Sequence, residues 1–75
     1  MQKYANRGGD SGVVGFEITA DSITVQFVGG MNYVYDSYRP GAAIVTHLKT
    51  LALSGHGLNS YISSVVKSNF SRKYR

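Results

Sequence analysis

The sequence predicts a small α+β domain, with a three-stranded antiparallel β-meander followed by two α-helices packed on one face of the sheet. Three observations carry this expectation. Apolar residues alternate with period two between Val14 and Phe27. After Pro40 they recur at helical spacing. The connections between the strand-like runs are too short for parallel crossovers.

Each element follows from its residues. Val14, Phe16 and Ile18 alternate with Gly15, Glu17 and Thr19, giving a half-buried strand over 13–19. Ala20-Asp21-Ser22 is a turn. Ile23, Val25 and Phe27 alternate with Thr24 and Gln26 in a second strand over 22–28. Gly29-Gly30 supplies the hairpin loop, and Tyr33-Val34-Tyr35 marks a third strand over 32–36. Pro40, with its fixed φ and no N–H, suits the first turn of a helix over 41–54. Ile44, Val45, Leu48, Leu51 and Ala52 share one face of it, and Gly55 is its expected left-handed cap. A second helix over 58–69 presents Leu58, Tyr61, Ile62, Val65, Val66 and Asn69 on one face. The expected core is Phe16, Ile18, Val25, Phe27, Ile44, Leu48, Leu51, Leu58, Ile62 and Val65. Residues 1–12 read as a flexible N-terminal arm, 13–70 as the single domain and 71–75 as a basic C-terminal tail.

Composition narrows the class. Hydrophobic residues make up 43% and charged residues 16% of the 75, a globular balance rather than a disordered one. A chain this short buries only roughly 60% of its unfolded surface, so its core is thin. There is no cysteine, which excludes disulfides, thiolate metal sites and a Cys nucleophile and points to the cytoplasm. No run approaches the roughly 20 apolar residues of a membrane span, and the N-terminus lacks the apolar stretch of a signal peptide.

Charge is the strongest functional signal. All four acids, Asp10, Glu17, Asp21 and Asp36, lie in the first half, against Lys3 and Arg7. From Ser37 onward there are six bases and no acid. Such a field draws polyanions to one end of a small protein. Arg39, Lys67, Arg72 and Lys73 are the candidate phosphate contacts, because lysine and arginine release counterions from phosphates. Phe70 and Tyr74, interleaved with them, are candidate stacking residues. Tyr33 and Tyr35 share one face of their strand. On an open face they form a platform for unpaired bases; on the helix-covered face they are core. Arg39 has a second reading, as a loop residue pairing with Asp36.

Other chemistry finds little support. His47 and His56 are the only histidines, too few for a zinc site without cysteine, so neither a metal nor a cofactor is expected. Ser54 or Ser60 beside His56 lacks an orienting acid and an oxyanion element, so no catalytic residue is assigned. Gly55-His56-Gly57 reads as a tight helix–helix corner, with a phosphate cradle as its alternative; no Gly-Lys-Ser/Thr follows it.

An apolar strand, a short glycine turn, Tyr33-Val34-Tyr35, Pro40 and then a helix resemble the KTSC family. That family is named for a C-terminal segment of some lysyl-tRNA synthetases and also occurs as small stand-alone bacterial and phage proteins. The likeness runs from about Val13 to about Tyr74. It is greatest to the stand-alone members, through Gly8-Gly9-Asp10-Ser11-Gly12-Val13, Val25-Gln26-Phe27-Val28-Gly29-Gly30 and Gly55-His56-Gly57-Leu58-Asn59-Ser60-Tyr61-Ile62. The sequence departs from the synthetase-type pattern at Asp36-Ser37-Tyr38-Arg39. The resemblance implies RNA binding and supplies no catalytic residues. The resulting expectation is a non-enzymatic binding module for RNA or single-stranded nucleic acid. The competing expectation is a protein-interaction module, such as a phage-type factor acting on a host protein, in which edge strand 12–19 or 31–36 pairs with a protein partner or a second copy.

Overall fold

A computed structural model describes residues 1–7, 9 and 12–75. Of the Gly8–Val13 stretch that carries part of the family likeness, Gly8, Asp10 and Ser11 lie outside the described residues. The elements in chain order are β1 (Gln2–Lys3), β2 (Val13–Ile18), β3 (Ser22–Phe27), β4 (Asn32–Asp36), α1 (Ala42–Ser54), α2 (Leu58–Tyr61) running into a π-helical turn (Ile62–Val66), and β5 (Arg72–Tyr74). The strands form one antiparallel sheet in the order β1-β2-β3-β4-β5.

The α+β class and the meander of β2, β3 and β4 match the sequence expectation, but the sheet has five strands rather than three. The segments read as arm and tail carry the two edge strands. Both are short, and all their residues are exposed. A strand with neither face buried has no period of two to read, because alternation records burial on one side. The first segment also packs inward. Tyr4 is buried, and its hydroxyl accepts the Leu58 N–H at 3.3 Å. Arg7 donates from its backbone to Gly55 O (2.7 Å) and from Nε to Ser54 O (3.0 Å), satisfying carbonyls at the end of α1.

Register fixes the faces. Val25 pairs with Tyr33 and Ile23 with Tyr35. Directly paired residues share a face, so both tyrosines lie under the helices with Phe16, Ile23 and Val25. The opposite face carries Thr24, Gln26, Asn32 and Val34, flanked by Arg72 and Tyr74 of β5. Asn32 is only 6% exposed there. Its Nδ2 donates to Gly30 O (3.3 Å), while its Oδ1 has no partner among the described residues.

α1 begins at Ala42, two residues beyond Pro40, and ends where Gly55 turns left-handed at φ 74°. Its Val45, Leu48 and Ala52 close on the sheet. Lys49 Nζ ties it to the β2–β3 turn through Thr19 O (2.8 Å) and Ala20 O (3.1 Å). Of the expected core, Phe16, Val25, Leu48, Leu58 and Ile62 are buried, with Phe27, Ile44 and Leu51 packed at its rim. Two positions differ. Ile18, the last residue of β2, is 37% exposed. Val65 is 53% exposed, and Val66 is buried instead. The cause is the π turn. Lys67 N–H bonds back to Ile62 O at 2.5 Å, a five-residue step. This wider turn advances each residue by a smaller angle and rotates Val65 outward. The expected helix over 58–69 is therefore one α turn and one π turn. Three β-branched residues and two serines, all poor helix formers, fill the π turn.

Candidate nucleic-acid interface

A groove of about 580 Å³ opens where the π turn faces β4 and the chain entering β5. Tyr33 and Tyr35 contribute from β4, Ile62 and Lys67 from the π turn and its exit, and Phe70 and Lys73 from the approach to β5. Residues of three separate stretches of chain meet here because β5 returns antiparallel beside β4, pairing Tyr33 with Lys73. Ser71 N–H to Val34 O at 2.7 Å anchors that return.

The aromatic rings are packed against one another. Tyr33 meets Phe27 edge-to-face (5.2 Å between centroids, 85°) and Phe70 in the same way (4.9 Å, 81°). Lys73 Nζ lies 5.9 Å from the Phe70 ring centroid, within cation–π range. Tyr35 is 1% exposed and lines the groove, yet its hydroxyl has no hydrogen-bond partner among the described residues. Burial, with Tyr33 beside it, pushes its pKa up to about 12. The Tyr35 hydroxyl is therefore a neutral donor at physiological pH.

Lys67 has an unusual backbone, with φ 55° and ψ −125°. Asn69 N–H bonds to Val66 O at 3.0 Å, closing a turn in which Lys67 holds the first central place of a type II′ geometry, where glycine is the ordinary occupant. Such strain costs about 1–3 kcal/mol and is characteristic of functional sites. The Lys67 ammonium makes no hydrogen bond among the described residues, in contrast to Lys49.

The structure thus gathers five of the eight candidate residues, Tyr33, Tyr35, Lys67, Phe70 and Lys73, around one groove. Arg72 and Tyr74 pair with Val34 and Asn32 on the opposite face, where the guanidinium sits 5.3 Å from the Tyr74 ring. Arg39 lies exposed in the turn after β4 and does not line the groove. Its link to Asp36 is through its backbone N–H, which donates to Oδ1 at 3.0 Å, as does that of Tyr38. The Arg39 N–H and then the Ser71 hydroxyl hold the Asp36 carboxyl below the usual range. The sequence analysis gave no binding role to Val28, Met31, Ser63 and Ser68, and placed Phe27 and Ile62 in the core.

The remaining candidates settle elsewhere. Ser54 Oγ donates to Leu51 O (2.9 Å) and lies 3.3 Å from His56 O. His47 stacks at a tilt on Tyr61, 4.4 Å between centroids. Among the described residues no three of His, Asp and Glu come together, and no helix is long and apolar enough to cross a membrane. Gly55 and Gly57 both take left-handed φ, and Tyr4 already occupies the Leu58 N–H, which is a corner rather than a cradle. Comparison with known proteins gives no match: no family model, curated protein or solved structure matches the chain. The likeness to the KTSC family rests on the residues quoted above.

Proposed function

We propose that this protein is a small non-enzymatic module of KTSC type that binds single-stranded nucleic acid, RNA first, in the cytoplasm. The observation that carries the reading is the convergence of Lys67 and Lys73 on one groove with Tyr33 and Phe70. Cations at a groove lined with aromatic rings are the combination single-strand binders use, electrostatic for the backbone and apolar for the bases. The acid-free second half of the chain adds a field of the right sign.

Fluorescence anisotropy with a labelled single-stranded RNA, titrated across salt, tests this. Lys67→Gln and Lys73→Gln should each flatten the slope of log affinity against log salt by about 0.7. Arg72→Gln, on the other face, should leave the slope unchanged. An intact protein that shows no binding at about 100 µM in low salt, where even non-specific binders register, rules the reading out.

The protein-interaction reading takes a different form in this fold. β1 and β5 cover the edges at 12–19 and 31–36. The outer edges are those of β1 and β5, whose residues are all exposed. Pairing there would be insensitive to salt.

A further inference from the structure

We infer that the groove is a single-base site, in which one unpaired base enters toward the Tyr35 hydroxyl while Lys67 and Lys73 hold the adjoining phosphate. This rests on the nucleic-acid reading above and adds which part of the polymer the groove receives.

Three features of the groove converge. Its volume of about 580 Å³ falls within the ~300–1,000 Å³ of small-molecule sites. A polyanion held by charge alone needs no such recess. Next, the interior is apolar and aromatic, with Ile62, Tyr33 and Phe70 along it. A flat, weakly polar body gains there by leaving water, and a bare sugar-phosphate chain does not. The third is Tyr35. The Tyr35 ring is nearly fully buried, it lines the groove, and its hydroxyl makes no hydrogen bond among the described residues; the oxygen is not a sealed, unpartnered atom and so remains reachable from the groove. Its high pKa keeps the proton on the oxygen. The hydroxyl is therefore a donor available to an acceptor on a ligand seated in the groove. Nucleobases carry ring nitrogens and carbonyl oxygens on their edges. The chemistry that satisfies all three features is a planar heterocycle with acceptors on its rim and a phosphate at its other end. Tyr33 packs edge-to-face on Phe27 and on Phe70, so the base would lie in the open groove beside these rings rather than on a free-standing tyrosine.

The test compares a single-stranded RNA oligomer with an abasic ribose-phosphate oligomer of equal length, at one low salt concentration. The intact protein should prefer the base-bearing strand about tenfold, the lower part of the range that contact of one base with aromatic side chains contributes. Tyr35→Phe should reduce that preference several-fold with the salt slope unchanged. Ser63→Trp, which fills the groove from an exposed position, should abolish the preference, and it decides the matter if Tyr35→Phe does not fold. Equal affinity for the two strands overturns the single-base site and leaves nucleic-acid binding standing. Binding to neither strand overturns both.

Discussion

The two helices of this protein do different work with similar residues. α1 runs regularly for 13 residues, ends in a glycine cap and delivers Val45, Leu48 and Ala52 to the sheet. The second helix completes one α turn, widens into a π turn and ends at a lysine with positive φ. The regular helix closes the core, and the irregular one leaves a groove beside it. Local irregularity here coincides with the groove where Lys67, Lys73 and the aromatic rings meet, whereas the one lysine of α1, Lys49, is tied to backbone carbonyls of the β2–β3 turn. This is the pattern expected where a fold carries strain at a site and stability elsewhere.

The comparison breaks most readily in the regular half. Leu48 is completely buried beneath α1, so Leu48→Ala should cost about 2–5 kcal/mol. For a domain of this size that removes much of the stability. A chemical-denaturation midpoint that hardly moves would show that α1 does not seal the core.

Gly55 comes next. A Cβ there would lie 2.5 Å from Ala5 Cβ, and the left-handed backbone adds its own penalty. Gly55→Ala should cost about 1–2 kcal/mol for the backbone alone, and more for the overlap. Adding Ala5→Gly should recover only the overlap. If the double variant is no more stable than the single one in thermal unfolding, the packing of residues 4–7 against α1 is not what the glycine protects.

Lys67 sharpens the contrast because stability and binding should move in opposite directions. Lys67→Gly fits the turn without strain and should raise stability by about 1 kcal/mol. It should also weaken RNA binding and flatten its salt dependence. A variant that is both less stable and equally competent in binding would refute the strained-site interpretation.

Tyr35 links the two halves through pH. Its folded pKa, about 12, stands above the ordinary value of 10.0. Its contribution to stability is therefore complete below about pH 10 and is lost as pH rises through the folded value. Unfolding free energy should decline between those limits, and Tyr35→Phe should flatten the decline. Parallel profiles for the two proteins would remove Tyr35 as the cause.

Much of this was legible from residues, and what was not has physical causes. Alternation located β2 and β3 because one face of each is buried. Glycine at the end of α1 was readable because few other residues adopt that φ. The face of Tyr33 and Tyr35 was not readable, since it depends on register across the Val28–Met31 loop, and a one-residue slip reverses it. β5 was hidden because Arg72, Lys73 and Tyr74 look the same in a solvated tail as in an exposed edge strand. The candidate cluster was accordingly half visible. Its cations and rings stood out by composition, while the return of β5 that assigns Lys73 to the groove and Arg72 to the opposite face left no mark in the sequence.

The strand order has a consequence for how the groove comes into being. β2, β3 and β4 pair through short hairpins, whereas β5 reaches β4 only after both helices, pairing Val34 with Arg72. Contacts so distant along the chain close late and at the greatest entropic cost. β5 is then the last strand to dock and the first to leave, taking Phe70 and Lys73 with it. A ligand that needs both walls binds only the docked form and stabilises it by mass action. The corner would behave as a latch, held shut by its own occupant. Hydrogen exchange at the Ser71 amide, which bonds to Val34 O, reports the latch directly. Exchange there should slow on saturation with RNA while that of β3 amides stays constant, and an unchanged Ser71 rate would mean that β5 docks independently of the ligand.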